Sequence, residues 1–223
     1  MLRMLLTIVT GLLCMHLFLL WLREGLGMEA RALTMLFDLD HEANIPTLFS
    51  VLLFASAGVL LLISYRTVLH AGRRQWQWRL LAFIFFFLAL DEGSQIHEKC
   101  IEAVHRLMGG IPHASLTYAW VIPYGLAVVG LALVMAPFLL KLRKRTLWLF
   151  IISAAVYVGG ALITEMLQGA ATVDGGETSL LYLLLNTKEE TLEMIGLALF
   201  NYALLDHLSG GHTTLTLSLS PDP

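Results

Sequence analysis

The chain has 223 residues, 57% of them hydrophobic and 14% charged, with a mean hydropathy of +0.75. A soluble domain carries about 25% charged residues, so this composition excludes an ordinary water-soluble fold, and the length leaves no room for a soluble domain beside a membrane one. The net charge of -3 says little as a sum; its distribution along the chain says more.

A helix needs about 20 apolar residues to cross the hydrocarbon core. The first candidate is 4–22, too long for a signal-peptide core and without an A-x-A cleavage site, so it reads as a retained span. Met28–Phe37 (MEARALTMLF) reads as a short interfacial helix. Further spans are expected at 45–64, 80–98, 118–140, 146–168 and 187–205. Pro123 and Pro137 are expected to bend the fourth. Ala154, Ala155, Gly159, Gly160 and Ala161 in the fifth allow close helix approach. Residues 208–223, rich in Ser, Thr and Gly, read as a disordered cytoplasmic tail. The expected fold is therefore all-α: one transmembrane bundle over 1–207 with about six spans and both termini cytoplasmic.

Orientation follows from Lys and Arg. Arg66, Arg73, Arg74 and Arg79 fill the loop after the second span, and Lys141, Arg143, Lys144 and Arg145 the turn after the fourth. Short basic loops stay in the cytoplasm. With Arg3 this places 9 of 14 Lys/Arg inside, against 2 of 17 acids, which makes the inner side positive and the outer strongly negative. A bacterial inner-membrane, multi-pass location is the expectation. Trp76, Trp78 and Trp148 are expected at the inner boundary and Trp21 and Trp120 at the outer one, as an aromatic belt. Cys14 and Cys100 lie in separate runs and predict no disulfide.

The chemistry gathers on the outer side. Read as one continuous helix, the third span puts Asp91, Ser94, Gln95, Glu98, Glu102 and His105 on one stripe, flanked by Glu92 and His97 and ended by Gly109-Gly110. The sixth span opens with Asn186, Thr187, Lys188, Glu189, Glu190 and Glu193, and the fifth supplies Glu165. Asp38, Asp40, His41, Glu42 and Asn44 precede the second. Ionisable groups at such depth face the bundle interior and are functional by default. Glu102-Ala-Val-His105 matches one E-x-x-H of a di-iron bundle, but no second copy exists. A carboxylate-rich site suits iron, manganese or a harder cation better than zinc.

Plainer readings stand beside these. Asn186-x-x-Glu189 and Thr187-x-x-Glu190 fit capping boxes. Asn44 before Pro46 fits a helix cap, and Glu102 fits an i,i+4 pair with Arg106. His105 and His113 fit exposed loop histidines. Asp91, His97 and Glu98 could simply tie helices by hydrogen bonds. His16 lies mid-span, but at a depth that argues against pairing with His97 on a haem.

At LALDEGSQIHE and NTKEETLEMIG the chain resembles a group of bacterial six-span membrane proteins with LDE…HE in one helix and EE-x-x-E-M-x-G in the last. The group has no established activity. The resemblance spans the second to sixth helices and marks Asp91, Glu92, His97, Glu98, Glu189, Glu190 and Glu193. A more distant likeness is to ceramidase-like membrane hydrolases, which place Ser, Asp and His around zinc. Asp91, Ser94 and His97 are present here, but their paired H-x-x-x-H is not, and the chain is one span short.

The leading expectation is a membrane-embedded enzyme acting on a lipid-like substrate from the periplasmic side. Asp91, His97, Glu98, Glu165, Glu189, Glu190 and Glu193 are its candidate metal ligands, for iron, manganese or zinc. Glu92 and Ser94 are the candidate catalytic groups. Membrane lipids, and a homodimer or a larger membrane complex, are the expected partners. The alternatives are a small proton- or cation-coupled transporter and a non-catalytic accessory subunit. No nucleotide loop, nucleophile elbow or nucleic-acid-binding pattern occurs.

Overall fold

The computed structural model describes residues 1–210 except Glu42, Ala71, Arg73 and Pro112, and leaves aside the side chains of His70 and Asp174. Most of the expected tail, 211–223, lies outside the described residues. Nine α-helices occur among them: α1 Leu2–Leu26, α2 Arg31–Phe37, α3 Ile45–His70, α4 Trp76–Ser94, α5 Ile96–Met108, α6 Val121–Leu139, α7 Lys144–Val158, α8 Glu165–Gly175 and α9 Leu180–Leu208. A 3₁₀ turn precedes α6, and a π-helical segment, Gly159–Thr164, joins α7 to α8. No strand is present among the described residues.

Four helical stretches are long and apolar enough to cross a membrane: α1, α3, α6, and α7 continued into α8. The bent pair α4–α5 makes a fifth if counted as one span. These helices are compatible with a multi-pass membrane protein. α9 has the length, 29 residues, but Lys188, Glu189, Glu190 and Glu193 interrupt its apolar sequence.

Local sequence explains most helix ends. Gly27, left-handed at φ 63°, closes α1 by returning its N–H to Arg23 O. Asn44 caps α3 as expected: its Oδ1 accepts from Thr47 N at 3.1 Å, while its Nδ2 donates to Asp38 O. Gly109 and Gly110 end α5, also as expected. α9 corrects the capping-box reading. Ser179 is the actual cap, accepting from Tyr182 N at 3.3 Å, and the helix starts at Leu180. Glu189 therefore lies more than two turns inside α9, too deep to serve its N-terminus.

α9 is the hub, packing against α1, α3, α7 and α8. A Cβ on Gly160 would lie 2.9 Å from Leu192 Cβ, and one on Gly196 2.7 Å from Tyr157 N. The expected small-residue contact is thus real, and it presses α7 and the π segment against the acid-bearing stretch of α9. Asn201 ties α9 to α3, donating to Leu53 O and accepting from Ser56 Oγ. At the basic end, Arg143 and Arg145 reach Asp206, which puts the α6–α7 turn beside the end of α9.

Two tryptophans depart from the belt. Trp78 is fully buried, edge-on to Phe138 and Phe150, and Trp120 is buried at 8% exposure. Trp21, Trp76 and Trp148 are exposed, as a belt requires. Both cysteines are free.

Candidate functional site

The third expected span is not a continuous helix. Gln95 adopts a left-handed conformation, φ 56°, and α4 and α5 diverge there by 84°. This breaks the predicted stripe: Glu102 and His105 swing away with α5. Glu102 pairs with Arg106 and His105 Nε2 meets Leu116 O. Asp91 holds the corner. Its carbonyl accepts from Gln95 N at 2.7 Å, and its Oδ1 accepts from His97 N at 2.8 Å and lies 3.2 Å from His97 Nδ1. Its Oδ2 accepts from the Tyr124 hydroxyl at 2.8 Å. Asp91 thereby caps α5 and pins the outer part of α6.

A second polar group forms where α8 meets α9. The π segment inserts an extra residue per turn and so rotates the face that follows it; Glu165 and Gln168 come to face inward. Trp120 Nε1 donates to Glu165 Oε1 at 3.1 Å. Gln168, 2% exposed, donates through Nε2 to Glu189. The His97 and Trp120 rings lie 4.9 Å apart and bridge the two groups.

Both groups open into one cavity of about 920 Å³. Asp91 and Glu92 line it from α4, His97 and Glu98 from α5, Glu165 and Gln168 from α8, and Asn186, Glu189, Glu190 and Glu193 from α9. Asp40 and His41 reach it from the loop before α3. With the bent pair α4–α5 counted as one, four separate segments therefore converge, as the topology predicts. Asp91 and Glu189 are buried; Glu92, His97, Glu165, Glu190 and Glu193 are half-buried; Glu98 is exposed. Ser94 does not line the cavity; its carbonyl accepts from Lys99 Nζ.

Beyond Glu193 the walls turn apolar, formed by Leu131 and Met135 of α6, Phe150 and Ala154 of α7, and Leu197 and Phe200 of α9. Phe85 stacks on Phe200 at 4.6 Å, and Phe150 and Phe200 lie 4.9 Å apart, with Trp78 and Phe138 beneath. This aromatic floor closes the inner end. Along α9 the lining runs from Tyr182 to Phe200, a rise of about 27 Å, close to the hydrocarbon thickness of about 30 Å. α6 joins the bundle at its two ends, through Met135 and Phe138 on one side and Val121 on the other. Its inner end rests on Trp78 through Phe138, and its outer end is held by Tyr124 and Trp120. The cavity occupies the space between.

At the mouth, Tyr118 lies 3.2 Å from Glu177 Oε1 and 3.3 Å from the Tyr182 hydroxyl. Burial, with the charges of Glu177 and Glu165, pushes the Tyr118 hydroxyl up to about 12 against the hydrogen bond with Tyr182, so it stays a donor. His16 belongs elsewhere. Its Nε2 meets Thr187 Oγ1 at 2.9 Å and its Nδ1 lies 3.1 Å from both Leu39 N and Asp38 Oδ1, locking α1 to α9. Burial pushes the Asp38 carboxyl up, but hydrogen bonds from His16 and the Asp40 amide, helped by the His16 and His41 charges, hold it below the ordinary aspartate value.

Among the described residues, no three His, Cys, Asp or Glu side chains are gathered closely enough to hold a metal ion. Asp91 already serves His97 and Tyr124, and Glu165 and Glu189 accept from Trp120 and Gln168. The sequence reading missed Trp120, Tyr124, Tyr157 and Gln168. Only Gln168, an amide at the end of an apolar run, carried a readable signal.

Fold and site together define an all-helical protein with several membrane-length helices around an acid-lined cavity. The chain belongs to the family described as Domain of unknown function (DUF8692), whose model matches residues 4–208. No curated protein matches it, and no solved structure does.

Proposed function

We propose that the protein is a six-span bacterial inner-membrane protein, both termini cytoplasmic, that takes a lipid-like amphiphile into its cavity from the periplasmic side and acts on the head group by acid–base chemistry. The observation that carries this reading is the two-part cavity: carboxylates and aromatic hydroxyls at one end, an apolar shaft closed by an aromatic floor at the other. Such a space fits a molecule with one polar end and one hydrocarbon end. Glu92, at the cavity wall, is the candidate acid/base.

α9 serves as the sixth crossing because its acids Glu189, Glu190 and Glu193 line the cavity inside the bundle, the arrangement intramembrane acids require. A metal-dependent form of the reaction, on iron, manganese or zinc, needs at least three of Asp91, His97, Glu98, Glu165, Glu189, Glu190 and Glu193 to draw together. Elemental analysis beside Glu98→Gln tests that form directly. Transport is the weaker reading, since the aromatic side chains of Phe85, Phe150 and Phe200 stand between the cavity acids and the basic end.

The test is native mass spectrometry of the purified protein beside Ala132→Trp and Ala154→Trp, which fill the apolar shaft without touching a carboxylate. A retained amphiphile lost in both variants supports the reading. Equal retention in all three rejects it.

A further inference from the structure

We propose that the amphiphile's head is a cationic amine, and that phosphate-headed lipids are rejected. The inference rests on the amphiphile reading above and names the substrate class of that cavity. Asp91, Glu92, Glu98, Glu165, Glu189 and Glu193 all line the same space, and among the described residues no lysine or arginine does. The nearest basic side chains in sequence point elsewhere. Lys188, beside Glu189, is exposed; Lys99, beside Glu98, is exposed and bonded to the Ser94 carbonyl.

Hydrogen-bonding capacity leans the same way as charge. Three of the donors at the polar end already have acceptors: Tyr124 serves Asp91, Trp120 serves Glu165, and Gln168 serves Glu189. Asn186 lines the cavity too, and its side-chain oxygen is buried without a hydrogen-bond partner. That oxygen lacks a donor, not an acceptor. A primary ammonium brings three donors and a positive charge, and the Trp120 and Tyr124 rings in the wall attract cations. A phosphate brings acceptors and negative charge into a space already full of both, which costs on each count.

The tail cannot supply this selectivity. Hydrocarbon leaving the bilayer for an apolar shaft exchanges one apolar solvent for another, so discrimination falls to the head.

The experiment is calorimetric titration of the protein in nanodiscs, with empty nanodiscs subtracted, using dodecylamine, dodecyl phosphate and dodecyl glucoside. One saturable site is expected for the amine, at least tenfold tighter than for the phosphate or the glucoside. Glu189→Gln combined with Glu193→Gln is expected to weaken the amine at least tenfold and the glucoside less than twofold. The head-group series needs only the unaltered protein, so misfolding of the variant does not decide the outcome. Phosphate or glucoside binding as tightly as the amine overturns the amine assignment and leaves the amphiphile reading standing. Saturable binding of none of the three overturns both.

Discussion

Asp91 is the side chain on which the geometry of the site depends, and replacing it tests that geometry quantitatively. Its carboxylate is 4% exposed and accepts from His97 N, His97 Nδ1 and the Tyr124 hydroxyl. Asp91→Ala removes the cap of α5, a loss of about 1 kcal/mol, and a charge-assisted bond to Tyr124 of about 1.5–3 kcal/mol. Together these come to about 3 kcal/mol. For a chain of this size that corresponds to a fall in melting temperature of roughly 6–12 °C. Asp91→Asn keeps the Oδ1 acceptor for His97 N and should lose about a third as much. Thermal unfolding in detergent, followed by near-ultraviolet circular dichroism, measures both. A cycle with Tyr124→Phe should show coupling of about 1–2 kcal/mol, since the two groups touch. If Asp91→Ala melts within about 2 °C of the parent protein, Asp91 does not hold the corner between α4 and α5.

Other consequences can be checked with the same material. Gly196→Val places a branched side chain where a Cβ already meets the Tyr157 backbone at 2.7 Å, and should cost at least about 1–3 kcal/mol; a neutral effect in thermal unfolding would contradict the close approach of α7 and α9. The lowered Asp38 carboxyl gives stability that is fully present above the ordinary aspartate value, near about 3.9, and lost as pH falls through its folded value. The gap in melting temperature between the parent and Asp38→Asn should therefore be widest at pH 6 and narrow as pH falls below about 3.9. A gap independent of pH would remove Asp38 from the His16 lock.

Hydropathy made the helices legible, because the length of a crossing and the composition of its walls are set by lipid rather than by distant contacts. The basic turn at 141–145 and Asp206 were expected on one side, and Arg143 and Arg145 do reach Asp206. The break at Gln95 was not legible. A left-handed non-glycine residue is held there by the contacts of Asp91, one of which comes from Tyr124 on the distant α6. The start of α9 was misread because Ser179 and Asn186 both offer a capping side chain, and only tertiary burial of Tyr182 and Leu183 selects the earlier one. Trp120, Tyr124 and Tyr157 escaped for a different reason. Aromatic residues near helix ends look the same in sequence whether they face lipid or a cavity, and the choice is made by packing.

On this reading a hydrocarbon tail occupies the shaft between α6, α7 and α9. A dodecyl amphiphile with a photoactivatable diazirine at the tail end, cross-linked to the protein in nanodiscs and mapped by peptide sequencing, tests it most directly. Saturable labelling is expected at the inward residues Leu131, Met135 and Phe200, abolished by Ala132→Trp. Labelling confined to the outward-facing Leu126, Val129 and Leu133, unchanged in that variant, would contradict it.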